Sequence, residues 1–472
     1  MTHDLTCMRP TSWAIKLSAT LALAACSCTD SSQSIQVISR QDNGGTEISR
    51  RVDDGRHIAL SFETGGTTYK AKLRYEPRDA DGAQVFHVEQ LTLARDGGPP
   101  MTWLWRQLPP DATLRFSDGA LLRHPDPAVT AELTQHLTKA PPDLSAALDG
   151  LPQLLRAESR TTVYLAAVRR CLGAGDLDLL LAAIDEDGAM LADDAQGWSP
   201  EGPHSEGLGR CIEALAAHPA CDAARADALA AHVTSIDISE HQATALCALV
   251  GHASTAALTE ATDDVAASSA RAKVLLAMAK ARPLEQQDAD RIATAAPSIG
   301  MSSLEADVLG ALVGHASTAA LTDAVDDVAG ASARAKVLLA MAKTRPLEQP
   351  DADRIAAAAK SIGMSSLETS VLAALVPSAS TAALLEASSQ LSVSRSRLQL
   401  LQALAGKPDL SRADADLLVG ALPSLSLSSD RAALLLALTT RASTERVREA
   451  AAELPSAGRA KVLDALLRRQ GR

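Results

Sequence analysis

Ala248-Leu249-Val250-Gly251-His252 returns 63 residues later as Ala311-Leu312-Val313-Gly314-His315, and Arg271-Ala272-Lys273-Val274-Leu275-Leu276 returns as Arg334-Ala335-Lys336-Val337-Leu338-Leu339. From Ala248 to Ala373 one 63-residue repeat is written twice with 11 substitutions. A fixed long period outside low-complexity sequence predicts a stacked-repeat fold. Within the repeat Leu304, Val308, Leu309, Leu312 and Val313 share one helical face, and Val274, Leu275 and Met278 share another. Ser302 with Glu305 has capping-box spacing, as do Ser365 and Glu368, and Asp288 and Asp290 stand where a helix is expected to start. Gly251 and Gly314 suit the left-handed residue that ends one. The spacing predicts four helices over about 253–265, 269–282, 287–297 and 302–314. Connections this short make sequential helices antiparallel, so each repeat holds two helical hairpins.

Ser235-Ile236, Ser298-Ile299, Ser361-Ile362 and Ser424-Leu425 keep the same 63-residue register, so the double-hairpin repeat is clearest over 248–436. A weaker echo at Leu165 to Asp187 and a partial repeat at Arg459-Ala460-Lys461-Val462-Leu463 extend it to about nine or ten hairpins. This pattern resembles HEAT-like α-solenoids. More narrowly, Ser-Ile, two residues, Ser, then Val-Leu and Ala-Leu is similar to helical-hairpin repeats of bacterial envelope proteins, some of them sensor-type membrane metallopeptidases. Leu304-Glu305 and Leu367-Glu368 stand where those repeats carry acidic and aromatic residues, and no His-Glu-x-x-His occurs, so peptidase activity does not carry over.

At the start of the chain Arg9 and Lys16 precede the apolar run Leu17 to Ala25, which ends in Leu23-Ala24-Ala25-Cys26. That is the layout of a secretory signal. The Cys after small residues resembles a bacterial lipobox, which implies cleavage before Cys26 and acylation of its thiol. Ser27 in place of Asp then implies sorting to the outer membrane. The alternative is an ordinary signal peptide or a short buried segment. The expected organisation is 1–25 signal peptide, 26–34 lipidated Cys and polar tether, 35–122 small antiparallel β domain and 126–472 helical solenoid. The fold class is therefore α+β multidomain, with the small N-terminal antiparallel β domain followed by an all-α, right-handed superhelical solenoid of helical hairpins.

In 35–122 the period changes to two: Ile58, Leu60 and Phe62 alternate with polar neighbours, and after Thr64-Gly65-Gly66-Thr67 so do Tyr69, Ala71, Leu73 and Tyr75. Further strands are expected at Val85 to Leu93, Met101 to Trp105 and Thr113 to Phe116. Seven of the ten aromatic residues lie between Phe62 and Phe116, as a binding platform or as the core of a small sheet. His57 and His87 lack metal-ligand spacing. Asp126-Pro127 predicts an N-cap and a first-turn proline.

Residues 185–207 read as an insertion carrying Asp185, Asp187, Asp193, Asp194, Trp198 and His204, without EF-hand spacing. No nucleophile elbow, phosphate loop or dinucleotide fingerprint is present. Asp263-Asp264 and Asp326-Asp327 point about 100° apart on a helix and read as solvated faces. His252 and His315, beside helix-ending glycines, read as caps. Cys171, Cys211, Cys221 and Cys247 cluster in sequence, either as disulfide partners or as buried thiols; Cys211 aligns with the core position Val274. A formal charge of -12 without a basic stripe argues against nucleic acid. No cofactor is expected, and the membrane is reached through the lipid alone.

Two functions remain: a scaffold for an unknown protein or peptide, and an enzyme with its site in the β domain or the 185–207 insertion. Stacked hairpins make extended surfaces, which favours the scaffold. The expected contact ladder is Thr259, Glu260, Asp290, Arg291, Thr322, Asp323, Asp353 and Arg354, repeated on successive hairpins. As a solvated set, Asp290, Arg291, Asp353 and Arg354 are expected to accept charge reversal without loss of stability.

Overall fold

The computed structural model describes residues 36–41, 47–53, 57–64, 67–76, 82–93, 98–192, 205–236, 238–281, 283–344 and 347–470. The signal segment, Cys26, the tether, Asp193, Asp194, Trp198 and His204 lie outside the described residues. Packing divides the chain into two compact units, one ending at Ser254 and one beginning at Thr255.

The first unit opens with a seven-stranded sheet in sequence order: β1 (Gln36–Gln41), β2 (Glu47–Asp53), β3 (His57–Thr64), β4 (Thr67–Tyr75), β5 (Gln84–Leu91), β6 (Ala112–Arg115) and β7 (Leu121–Arg123). Period-two alternation buries Ile58, Leu60, Ala71 and Leu73 on one face and leaves Lys70, Lys72 and Arg74 exposed on the other. Phe86, Trp103 and Trp105 are buried in the core, and Tyr69, Tyr75 and Phe116 pack against it. Those aromatic residues are therefore core rather than a platform.

Two expectations about this sheet need correction. Met101 to Trp105 is not a strand: it lies in helix α1 (Pro99–Gln107), which begins with proline. Met101, Trp103 and Trp105 mimic a period of two, but Met101, Leu104, Trp105 and Leu108 form an i, i+3, i+4, i+7 stripe, and all five are buried. Nor is the sheet wholly antiparallel, because β5 pairs with β6 in parallel. A parallel pair needs a crossover, and α1 supplies it.

Among the described residues seven more α-helices follow in this unit: α2 (Asp126–Leu137), α3 (Leu144–Asp149), α4 (Ala157–Arg170), α5 (Ala174–Ala192), α6 (Ser205–Ala216), α7 (Ala223–His232) and α8 (Ser239–Leu249). They stack in two layers, with α2, α4, α6 and α8 in one and α3, α5 and α7 in the other. Asp126 does not cap its own helix. Its buried carboxylate accepts the N–H groups of Leu155 at 2.9 Å and Arg156 at 3.0 Å, while Arg156 donates to the Leu108 carbonyl. His124 Nδ1 accepts from Asp126 N at 3.2 Å, which makes Nε2 the donor to Trp105 O at 2.9 Å. One buried network thus ties the crossover helix of the sheet to the first hairpins.

The second unit is a continuous two-layer stack. One layer holds α9 (Thr255–Asp263), α11 (Gln286–Ala295), α13 (Thr318–Asp327), α15 (Gln349–Ala358), α17 (Thr381–Ser389), α19 (Arg412–Ala421) and α21 (Thr444–Ala452). The other holds α10 (Ser268–Lys280), α12 (Ser302–Leu312), α14 (Ala331–Lys343), α16 (Ser365–Leu375), α18 (Ser394–Ala405), α20 (Ser428–Leu438) and α22 (Ser456–Gln470). Each helix packs on the next in its layer, as the repeat period predicts. Val308, Leu309 and Leu312 are buried on α12, each contributing roughly 1.5–3 kcal/mol by leaving water. Gly251 and Gly314 follow their helices at φ +92° and +88°, the left-handed region where a Cβ is penalised.

The expected capping boxes are only half present. Glu305 accepts the N–H groups of Gly300 and Met301, but no Ser302 side chain caps the helix. Ser365 turns to the following hairpin, where its Oγ accepts the Ser392 N–H at 3.2 Å. Asp288 and Asp290 do not cap α11 either, since its N-cap is Glu285. At the fourth residue of their helices, Arg334 donates to the carbonyls of Ala329 and Ser361, and Arg397 to those of Leu391 and Ser424. Each arginine therefore binds its own hairpin turn and the turn of the next hairpin.

Candidate functional site

Helix period splits the expected ladder into two sets. Thr259, Asp290, Thr322 and Asp353 are the fifth residues of α9, α11, α13 and α15, whereas Glu260, Arg291, Asp323 and Arg354 are the sixth. One residue turns a side chain by about 100°, enough to pass from packed to open.

The fifth residues are occupied inside the molecule. Thr259 and Thr322 are buried, and each hydroxyl donates to carbonyls of its own helix at 2.9 Å. Asp290 Oδ1 accepts the N–H of Ser317, the N-cap of α13, at 2.6 Å, and Asp353 does the same for Ser380 before α17 at 2.7 Å. The bond recurs from Asp416 to Ser443 at 2.7 Å and, in the first unit, from Asp227 to Ser254 at 2.6 Å. Ser317 and Ser380 in turn cap Ala320 and Ala383. The expectation that Asp290 and Asp353 form a solvated contact set is therefore corrected: they pin adjacent helices of the layer.

The sixth residues are exposed and alternate in sign, and the row continues to Glu386, Leu417 and Glu449 on α17, α19 and α21. Asp323 is 78 % and Arg354 51 % exposed, and their ion pair is open at 4.0 Å. Arg291 reaches instead to Asp288 of its own helix, also at 4.0 Å. Glu386 is held by Lys360 at 2.5 Å, which lowers its carboxyl from the ordinary range. The three added members were within reach of sequence reasoning, because Asp323 plus one period is Glu386 and Arg354 plus one period is Leu417.

The open face of the sheet carries a second charged group that sequence reasoning did not assemble. Strand register sets His57 opposite Arg74, Arg74 opposite His87 and His87 opposite Arg115, in one row across four strands. Glu89 lies 3.2 Å from Lys72, 3.3 Å from His57 and 3.7 Å from Arg74. Glu76 lies 2.7 Å from His87 Nε2, without alignment for a hydrogen bond, and 3.6 Å from Arg115. The Lys72 hydrogen bond is the main cause holding the Glu89 carboxyl below its usual range. Each carboxylate is thus shared among several cations of this face.

In the expected insertion, Asp185 lies on α5 with Oδ1 2.7 Å from His232 Nε2. Among the described residues no three His, Cys, Asp or Glu side chains are grouped to hold a metal ion. Cys171, Cys211, Cys221 and Cys247 carry thiols rather than disulfides. Cys211 is fully buried, and burial pushes its thiol up to about 12, far from a thiolate nucleophile. No helix among the described residues is long and apolar enough to cross a membrane. Asp263, Asp264, Asp326 and Asp327 are exposed. No protein-family model matches the chain, and a search of the curated proteins finds no match for it.

Proposed function

We propose that this chain is a binding scaffold, lipid-anchored in a bacterial cell envelope, whose helical stack presents an extended surface to a protein or peptide. The observation that carries the binding role is the exposed sixth-residue row, which puts Glu260, Arg291, Asp323 and Arg354 at one height on successive helices while Asp290 and Asp353, one residue earlier, pin the stack. A right-handed superhelical course for the stack belongs to the same proposal. Leu23-Ala24-Ala25-Cys26 supports the address, with acylation at Cys26 and Ser27 favouring the outer membrane. Membrane attachment then needs no spanning helix and no basic stripe.

The anchor is tested by metabolic labelling with a fatty acid and fractionation of cells making the parent or Cys26→Ser chain. The parent should take label and sediment with membranes, and Cys26→Ser should lose both. Label retained by the variant would remove the lipoprotein reading. The scaffold is tested on the same membranes by cross-linking and capture: proteins held by the parent should be lost from an Arg291→Glu/Arg354→Glu chain. Full retention would remove this row from the binding surface.

A further inference from the structure

The sixth-residue row has a symmetry that specifies a partner. Its members are acidic on α9, basic on α11, acidic on α13, basic on α15 and acidic on α17. Helices of one layer stand about 8–10 Å apart, so the charges alternate at that interval along the face. Turning such a row about a two-fold axis between α11 and α13 sets Arg291 opposite Asp323 of a second copy and Glu260 opposite its Arg354. Every pair then joins opposite signs, and the two-fold repeats each contact in reverse, as a closed dimer requires.

Two further features suit this pairing. Beside the charges the exposed face carries Ala256 on α9, Thr294 on α11 and Ala357 on α15, small side chains that let two layers approach closely, and also Asp263 on α9 and Asp326 on α13, which the two-fold sets opposite Ala357 and Thr294 of the second copy rather than opposite another acid. Within the molecule the charges are weakly engaged, since the Arg354–Asp323 and Arg291–Asp288 pairs both stand at 4.0 Å and Glu260 makes no ion pair among the described residues. We infer that the sixth-residue row on α9, α11, α13 and α15 is a self-complementary docking face for a second copy of this chain. This rests on reading the layer as a binding face, and it names the occupant.

Four helices of about 10 residues make a face of on the order of 500 Å² per copy, at the small, reversible end of specific interfaces. Exposed ion pairs contribute little each, so the row sets alignment and salt sensitivity more than affinity. Association is therefore expected in the micromolar range and to weaken as salt rises from about 0.05 to 0.5 M.

The test is sedimentation equilibrium of the purified full chain in a non-ionic detergent, so that the apolar N-terminal run and any acyl chains are masked. The parent mass should rise toward twofold with concentration. Arg291→Glu/Arg354→Glu makes the row uniformly acidic and should hold the chain monomeric with unchanged helical circular dichroism. Glu260→Arg/Asp323→Arg/Glu386→Arg makes the row uniformly basic and should likewise be monomeric, yet the two variants mixed should associate. Exchanging all four signs with Glu260→Arg, Arg291→Glu, Asp323→Arg and Arg354→Glu restores alternation and should restore the parental dimer. A parent monomeric at every concentration, a uniformly acidic row that still dimerises, or a folded four-sign exchange that does not would overturn the inference. Loss of a different captured protein from the acidic variant, with the parent monomeric, would leave the scaffold standing and remove only the second copy.

Discussion

Glu305 accepts the backbone N–H of Met301, the N-cap of its own helix, and Glu368 makes the same bond to Met364 one repeat later. Both side chains are buried, and Glu305 Oε2 has no partner. Burial raises both carboxyls, outweighing the N–H bonds that pull the other way. A carboxyl raised in the folded state stabilises fully below its unfolded pKa, and that contribution fades as pH climbs through the folded value. One repeat earlier, the buried residue at this position is Gln242. Glu305→Gln/Glu368→Gln should thus be at least as stable as the parent at pH 7, gaining up to about 1 kcal/mol per site. Thermal melts at pH 4 and 7 check this, with the difference closing at the lower pH.

His124 titrates in the opposite sense. Its ring is buried against Trp105, with centroids 5.1 Å apart, and burial depresses its pKa more than the neighbouring Asp126 raises it. A depressed histidine keeps its contribution above the unfolded value of about 6.5 and loses it as pH falls toward the folded value. His124→Phe leaves the buried Asp126 N–H unpaired, at about 1–3 kcal/mol, and takes from Trp105 O one of its two donors, the other being the Leu108 N–H. Tryptophan fluorescence should show the variant unfolding at lower urea at pH 7.5, with the gap to the parent narrowing toward pH 5.

Periodicity made the hairpins legible, because each helix of the repeat must place the same apolar stripe on its neighbours. The expected 302–314 is observed as Ser302–Leu312, and 269–282 as Ser268–Lys280. The caps differ from local spacing where the bonding partner is distant in sequence: Asp126 binds N–H groups 29 and 30 residues away, and Asp290 one 27 residues away. Local spacing carries no trace of such bonds. The strand expected at Met101 failed because Trp103 and Trp105 happen to alternate in a helix that is apolar on most of its surface. Within the ladder, composition pointed to the right helices, but the packed and open positions separate only once the helix phase is fixed.

The aspartates among the fifth residues hold the helix layer while the sixth residues face outward, and the most direct measurement compares adjacent positions. Asp290→Ala/Asp353→Ala and Arg291→Ala/Arg354→Ala change the same two helices one residue apart. Urea unfolding followed by helical circular dichroism should show the Asp pair losing about 1 kcal/mol or more per site, since each leaves an N-cap N–H of the next helix without its carboxylate. The Arg pair should stay within about 0.5 kcal/mol per site of the parent. Equal destabilisation by the two pairs, or a silent Asp pair beside a costly Arg pair, would contradict the account.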